Sequence, residues 1–186
     1  MKNISEIPGY SPGLEGVIAG ISAISKVDPA GDELIYYGYK VSQLCEHSSF
    51  EEVCWLLFHG ELPKKSELEN FKQRLIEERE VPAQILDFIC ALPKEAHYMD
   101  VLRSGVSLLA HFDSKTEDNS RVMEIEKSLR LIAKVPTILA ARIRAMDGKK
   151  PVAPNAKLGH AANFLYMLSG KEPELDFAKA LDVSLI

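Results

Sequence analysis

Two consecutive segments that are apolar on two helical faces constrain the fold more than any other feature of this chain. Segment 98–112 carries one line through Met99, Leu102, Val106 and Leu109 and a second through Val101, Gly105, Leu108 and Phe112. In segment 121–146 one apolar line comprises Ile125, Leu129, Ile132, Leu139 and Ile143. A second line comprises Val122, Leu131, Val135 and Ile138. Because a helix with two apolar faces is buried on two sides, the pair predicts a subunit interface or a deeply buried hairpin in a large monomer. We favour the interface.

Caps and helix breakers predict the remaining helices. Ser48 and Ser49 precede Glu51 and Glu52 at the spacing of a capping box, and Gly60 supplies the left-handed residue that ends the helix they begin. Further helices are predicted over 64–80, 82–92 and 158–168. Pro136 lies inside the long helix and is expected to bend it, because proline removes one backbone hydrogen bond.

The N-terminal third predicts a small β-hairpin. Segment 17–27 is rich in β-branched residues, 28–31 has the composition of a turn, and 33–39 reads as the returning strand. A two-stranded hairpin cannot stand alone, so it must pack against helices. The fold class is therefore all-α and multi-helical, with a small N-terminal β-hairpin.

The last segment, from Pro173 to Ile186, has the pattern of a helix that continues to the end of the chain. Leu175, Ala178, Leu181 and Leu185 recur at helical spacing, and no Gly, Pro or basic last turn follows them. We interpret the chain as part of a longer protein.

Composition argues against several classes of partner. The net charge is −5, and the basic stretches 64–65 and 142–150 are interleaved with acidic or apolar residues, as on solvated helix faces. Nucleic acid is therefore not an expected partner. The chain has no apolar run long enough to span a bilayer, and its first residues lack the apolar core of a secretory signal. A cytoplasmic protein without a membrane partner is expected.

The residues alone do not identify a reaction. Cys45, Cys54 and Cys90 are odd in number and lack metal-ligand spacing, so neither a disulfide framework nor a zinc site is predicted. A catalytic thiol is the less favoured reading of Cys54 or Cys90. No two of the histidines are spaced as metal ligands on one helix face, and a structural role is favoured for each of His47, His59, His97, His111 and His160. His97 could cap a helix, and His160 could share a hydrogen-bond network with Asn163.

An ordered set of short motifs resembles the citrate synthase family. The motifs are Gly-Leu-Glu-Gly-Val at 13–17, Leu-Ile-Tyr-Tyr-Gly-Tyr at 34–39, Ser-Phe-Glu-Glu-Val at 49–53, Leu-Leu-Phe-His-Gly-Glu-Leu-Pro at 56–63, His-Tyr-Met-Asp-Val-Leu-Arg at 97–103, Ile-Ala-Lys-Val-Pro-Thr-Ile at 132–138, His-Ala-Ala-Asn-Phe-Leu-Tyr-Met at 160–167 and Ala-Leu-Asp at 180–182. Each motif is weak, but the ordered set covers the chain from about residue 13 to 186 and is specific. Tyr37 stands where the family commonly has Arg, and Tyr98 where it commonly has Pro.

The resemblance implies an acyltransferase that condenses acetyl-CoA with oxaloacetate, giving citrate and free CoA. In the family a carboxylate removes a proton from the acetyl methyl group, histidines stabilise the enol and polarise the ketone, and arginines clamp the dicarboxylate. The motifs that carry these groups come after the Ala-Leu-Asp segment, so we expect every catalytic residue beyond Ile186 and none in this chain. His97 and His160 match scaffold motifs. No metal and no permanently bound cofactor is implied, and acetyl-CoA is a substrate.

The resemblance also implies an architecture. Residues 1–186 would form the N-terminal part of the large helical domain, with the small catalytic domain absent. Helices near 98–112 and 121–146 correspond to elements that pack across the two-fold axis of a homodimer, in agreement with their surplus apolar surface.

Three interpretations stay open at this point. The chain is the N-terminal part of a citrate synthase-like enzyme and inactive by itself, or a natural short protein of the same fold that acts as a dimerisation module. In the third, the parent enzyme acts on propionyl-CoA, as a 2-methylcitrate synthase does. We favour the first.

Overall fold

Helices follow a small N-terminal sheet in the computed structural model, which describes residues 11, 13, 15–18, 20–28, 30–31 and 33–186. Within these residues the helices are α1 Val41–His47, α2 Phe50–His59, α3 Lys65–Glu77, α4 Ala83–Ala91, α5 Tyr98–Leu109, α6 Arg121–Met146, α7 His160–Ser169 and α8 Leu175–Ser184. The strands are β1 Ser25–Asp28, β2 Glu33–Tyr36 and β3 Tyr39–Lys40. The predicted class, all-α with a minor β element, is confirmed.

The N-terminal sheet has three strands where a two-stranded hairpin was predicted. Antiparallel β2 lies between β1 and β3, with Lys26 opposite Ile35 and Tyr36 opposite Tyr39. The first strand is shorter than predicted and comprises four residues, Ser25–Asp28. Ala19 and Pro29, which belong to the predicted strand and turn, lie outside the described residues.

The expected returning strand, 33–39, is interrupted by a tight turn at Tyr37 and Gly38. Both residues have positive φ, 44° and 90°, as a two-residue type I′ hairpin turn requires. A β-propensity reading misses this turn because tyrosine rarely adopts positive φ. The Tyr37 ring lies against Gly60 at the end of α2, where a Cβ atom would stand 3.4 Å from Cε1 of the ring. Tyr37, which stands where the family commonly has Arg, is thus packed against the end of α2.

Most helix boundaries follow the predicted caps. Ser49 accepts a hydrogen bond from the Glu52 amide, the Glu52 carboxylate accepts one from the Ser49 amide, and Gly60 ends α2 at φ 84°. The predicted bounds of α6 match the structure at both ends. α5 ends at Leu109 and continues as a 3-10 turn over Ala110–Phe112, and α8 ends at Ser184 instead of continuing to Ile186. Helix α1 was not predicted.

α6 lies at the centre of the helical packing. It contacts α3, α4, α5 and α7. Ile138 of α6 belongs to one buried cluster with residues of α4 and α5, while Leu129 and Ala133 belong to a second with residues of α2 and α3. A third cluster, Leu44, Val53 and Leu56, joins α1 to α2. The two apolar faces of α6 therefore fill two separate parts of the core.

One buried arginine fixes the segment that connects α4 to α5. The Arg142 side chain, on α6, is fully buried. Its guanidinium donates to the carbonyl oxygens of residues after α4: Leu92 at 3.0 Å, Pro93 at 2.6 Å, Lys94 at 3.3 Å and Ala96 at 3.4 Å. A planar group with five donors suits such a ring of carbonyls. None of the described helices is long and apolar enough to cross a membrane.

Replacing Gly60 by Ala should destabilise the protein by about 1–2 kcal/mol, because an alanine in the left-handed region strains the backbone. Its methyl group would also press on the Tyr37 ring. Chemical denaturation measures the loss as a lower free energy of unfolding. Gly20→Ala, at a position without positive φ and with no neighbouring atom within 4 Å, is the control. Equal stability of the Gly60→Ala variant and the wild-type protein would contradict this account.

Candidate functional site

Buried polar side chains gather where the N-terminal ends of α2 and α7 meet the C-terminal end of α8. We call this cluster the polar junction; it comprises Glu51, Arg79, His160, Asn163 and Asp182. All but Asp182 are buried, and Asp182 is partly buried. Charged residues are rarely buried unless they are paired or hydrogen-bonded, so each member needs a partner.

Glu51 is the anion at the centre of the junction. It lies in the first turn of α2 and is 5% exposed. Its Oε1 atom accepts a hydrogen bond of 3.1 Å from the backbone amide of His160, the first residue of α7. A carboxylate at a helix N-terminus satisfies an unpaired amide and interacts favourably with the helix dipole. Glu51 therefore caps α7 from a neighbouring helix.

Arg79 connects the end of α3 to the loop before α7. Its Nη1 atom donates to the carbonyl oxygens of Asn155 at 3.0 Å and Leu158 at 2.9 Å. Its own carbonyl oxygen accepts from Thr137 Oγ1 of α6 at 2.8 Å. The Nε atom has no hydrogen-bond partner among the described residues. Burial lowers the Arg79 pKa, and the nearby Glu51 carboxylate opposes that shift.

Asn163 closes the same loop from the side of α7. Its Oδ1 atom accepts a hydrogen bond of 2.8 Å from the Asn155 amide. The His160 ring packs instead against Phe50, with ring centroids 4.8 Å apart. The predicted network shared by His160 and Asn163 thus takes another form, in which both residues fix the start of α7 through different partners.

Asp182 brings α8 to the junction. Its Oδ1 atom accepts a hydrogen bond of 3.3 Å from the amide of Phe50, the first residue of α2. Its other oxygen lies 3.7 Å from Lys179 Nζ, which also donates to the Ser48 carbonyl oxygen at 3.5 Å. α8 is therefore linked to the start of α2 by one carboxylate and one ammonium group.

The junction shifts the pKa values of its member His160 and of the nearby Cys54 in ways that oppose acid–base catalysis. Burial lowers the pKa of His160 to about 4, with Glu51 acting against the shift and Arg79 reinforcing it. Burial, helped by Glu51 and Asp182, raises the pKa of the Cys54 thiol to about 12. Since a general base works best with a pKa near the working pH, and a thiol reacts as its thiolate, neither group is suited to catalysis at neutral pH.

The pKa of Asp182 lies above the ordinary value of an aspartate. Burial raises its pKa, and Glu51 adds repulsion, while the Phe50 amide, Lys179 and Lys72 act against the shift. The two carboxylates line a cavity of about 280 Å³ together with Lys72, His160 and Lys179. The arrangement can hold helix ends together and present polar groups to a neighbouring segment.

A second, larger cavity of about 890 Å³ lies beside α6. Three of its four basic residues come from one face of α6, and each of these three pairs with a facing element. Arg130 binds Asp113 at 3.1 and 2.7 Å, and Lys134 binds Glu78 at 2.7 Å. Lys127 donates to the Thr116 carbonyl oxygen at 3.1 Å. These cations link α6 to the loop after α5 and to the end of α3, so they are structural contacts.

The other residues singled out from the sequence occupy separate places. His97 caps α5 as predicted, with Nδ1 accepting from the Met99 amide at 3.2 Å. Cys45, Cys54 and Cys90 are free thiols, and burial raises the Cys90 pKa. Tyr98, the other departure from the family pattern, begins α5 and is exposed. The described residues contain no cluster of three or more histidine, cysteine, aspartate or glutamate residues that could hold a metal ion.

Sequence reasoning pointed to His160 and Asn163 but not to the other three members of the junction. Glu51 was read only as part of the capping box, although Glu52 alone completes it. Asp182 had a usable signal, because a single acidic residue between Leu181 and Val183 on an apolar helix face calls for a partner. Arg79 stands among glutamates and gives no sign of burial.

Comparison with known proteins gives a family match and several similar relatives. Residues 13–186 match the family described as "Citrate synthase, C-terminal domain". The chain is 40% identical over 184 residues to a citrate synthase of Acidithiobacillus ferridurans and 39% identical over 183 residues to a 2-methylcitrate synthase of Mycobacterium tuberculosis. These matches cover 96% and 98% of this chain but 48% and 46% of the relatives, so the chain spans about half the length of the curated relatives it matches.

Solved structures agree in fold. The chain superposes on the crystal structure of citrate synthase from Pyrobaculum aerophilum with a TM-score of 0.86 and 33% identity, over 93% of this chain and 45% of that one. For citrate synthase from Thermotoga maritima the TM-score is 0.79 and the identity 37%, over 92% and 44%. Which half of the relatives this chain represents stays a prediction from the order of its motifs.

Acid should destabilise the wild-type protein partly through His160. Its pKa is about 4 in the folded protein against an ordinary value of 6.5, so below pH 6.5 the unfolded chain takes up a proton that the folded protein refuses. The group therefore contributes no penalty above pH 6.5 and removes about 3 kcal/mol of stability as the pH falls to 4. Chemical denaturation at pH 7, 5.5 and 4 should show this loss in the wild-type protein relative to His160→Gln. A pH-independent difference between the two proteins would contradict the assignment.

Proposed function

This chain belongs to the citrate synthase family, and we propose that it is the N-terminal part of the large domain of an acyltransferase that condenses acetyl-CoA with oxaloacetate to citrate and free CoA. The observation that carries the proposal is the continuous family match over 13–186 on a chain whose fold reaches a TM-score of 0.86 with a citrate synthase. Relatives that are 40% and 41% identical to it are described as citrate synthases.

In this proposal the chain supplies scaffold, and the reacting groups belong to the sequence after Ile186. Two features of the described residues support this division. The most buried histidine, His160, is held neutral at physiological pH by its environment, and Cys54 is held as a thiol. The buried arginines, Arg79 and Arg142, direct their Nη donors to backbone carbonyls of this chain, so both groups have a structural role. We propose no permanent cofactor, and acetyl-CoA enters as a substrate of the whole enzyme.

We keep two alternatives to this proposal. Relatives described as "Citrate/2-methylcitrate synthase" in Bacillus subtilis and "2-methylcitrate synthase" in Mycobacterium tuberculosis are 37% and 39% identical to this chain, which makes propionyl-CoA the second candidate substrate. A natural short dimerisation module of the same fold is the other. The coding sequence after Ile186 distinguishes this module from a fragment, because an in-frame continuation into the expected histidine motif excludes the short protein.

The full-length protein should release CoA from acetyl-CoA only when oxaloacetate is present. The release of free thiol, followed with a thiol reagent, gives kcat/KM for acetyl-CoA and for propionyl-CoA under the same conditions. A higher kcat/KM with acetyl-CoA supports the citrate synthase assignment, whereas a higher value with propionyl-CoA replaces it with 2-methylcitrate synthase. No release from either acyl-CoA would contradict the proposed reaction.

We also propose that the protein is a homodimer that pairs through α5 and α6, in a reducing compartment such as the cytoplasm. The support is the uneven burial of these helices. Val101 and Leu109 are buried within the chain, whereas Met99 is 61% and Val122 71% exposed. Large exposed apolar side chains on adjacent helices are typical of surfaces that pair with a second subunit.

A charge placed on this surface should separate the subunits. Met99→Asp combined with Val122→Asp is expected to convert the dimer to a monomer in sedimentation velocity, because two carboxylates would be buried without partners. Leu175→Asp, at an apolar position on α8 that is 87% exposed, is the control and should sediment as the wild-type protein does. A monomeric wild-type protein would contradict the dimer, and a dimeric double variant would contradict this interface.

A further inference from the structure

α8 has little apolar burial of its own to hold it in place. None of its residues is buried, and Leu175 and Phe177 in its first turn are 87% and 67% exposed. Tertiary packing of an apolar face normally holds a helix of this length, since short helices are marginal in isolation. α8 packs along α7, and contacts at its C-terminal end add to this packing and fix where the helix ends.

These contacts converge on the first turn of α2. The Asp182 carboxylate accepts from the Phe50 amide, and Lys179 donates to the carbonyl oxygen of Ser48. Ile186, which follows α8, packs against the cluster formed by Leu44, Val53 and Leu56. The end of α8, and the direction in which the chain leaves it, are thus set by α1 and α2.

The Phe50 amide has no other way to be satisfied within α2. It is one of the first amides of the helix, which lack an intrahelical acceptor, and the capping side chain of Ser49 already accepts from Glu52. Asp182 supplies the missing acceptor from another helix, 132 positions away in sequence. Loss of this acceptor would leave the Phe50 amide without its partner and free the last turn of α8 to move.

We propose that Asp182 is a positioning residue, whose hydrogen bond to the Phe50 amide fixes the end of α8 and thereby aims the segment after it at the substrates. The inference rests on the proposed function, which assigns the reacting groups to that segment. Misplacement of a catalytic group by as little as 1 Å costs up to about 100-fold in rate, so a loosened α8 should slow the chemical step. Substrate affinity should change less.

The test compares Asp182→Ala with Asp182→Asn in the full-length protein. Asparagine keeps an oxygen acceptor for the Phe50 amide, whereas alanine removes it. We expect Asp182→Ala to lower kcat about tenfold or more with KM for acetyl-CoA changed less than about threefold, and Asp182→Asn to keep kcat within about threefold of the wild-type value. Asp176→Asn, an exposed acidic position in the same helix, is the matched control and should leave both constants unchanged.

A fall in kcat caused by general destabilisation of the protein must be distinguished from one caused by misplacement of α8. Val183 is partly buried beside Asp182, so Val183→Ala reduces apolar burial there but leaves the Asp182 carboxylate in place. It should lower the unfolding temperature without the tenfold fall in kcat. Wild-type kcat in Asp182→Ala, or an equal fall in Val183→Ala or Asp182→Asn, would overturn the inference.

Amide hydrogen exchange distinguishes this inference from the proposed function. Exchange in α8 of the full-length protein should rise about tenfold in Asp182→Ala, while exchange in α3 stays unchanged. If the wild-type protein releases no CoA, the proposed function fails, and exchange alone then decides whether Asp182 holds α8. Unchanged exchange in α8 would overturn the inference even where the wild-type protein is active.

Discussion

Burial of α6 on several sides is the constraint on which the remaining structure depends. Its contacts with α3, α4, α5 and α7 join two of the three buried clusters. A buried helix must also satisfy the polar groups it carries, and Arg142 does so by binding the carbonyl oxygens that follow α4. Thr137 similarly binds the carbonyl oxygen of Arg79. The positions of the α4–α5 connection and of Arg79 therefore follow from the placement of α6.

The polar junction continues this series of contacts from α6 to α8, the last helix of the chain. Arg79, fixed on one side by Thr137, holds the loop before α7 through Asn155 and Leu158. Glu51 then caps α7, and Asp182 links α8 to α2. Each of these contacts satisfies a backbone amide or carbonyl near the end of a segment, so removing the Glu51, Arg79 or Asp182 side chain leaves a backbone group without its partner. We interpret the junction as the means by which a scaffold transmits its geometry to the segment that follows.

Patterns of short range made most of the fold predictable from the sequence. The capping box at Ser49 and Glu52, the left-handed Gly60 and the bounds of α6 depend on residues within a few turns, and the structure confirms them. The predicted apolar lines of α5 and α6 are buried only in part, since Met99, Phe112 and Val122 are exposed. The turn at Tyr37 was missed because tyrosine seldom adopts positive φ, and here the contact with Gly60 accompanies it. Asp182 and Phe50 are 132 positions apart, so no local pattern predicts their contact. The family, by contrast, was predictable from the order of weak motifs along 13–186, and the comparisons confirm it.

The division between a scaffold in this chain and chemistry outside it is tested most directly by assaying residues 1–186 alone. The purified chain, supplied with acetyl-CoA and oxaloacetate at concentrations that saturate the full-length enzyme, is monitored for release of free CoA. The account predicts no release above the rate without protein, while the full-length enzyme turns over under identical conditions. Oxaloacetate-dependent CoA release by residues 1–186 would contradict it, because the reacting groups would then lie within this chain.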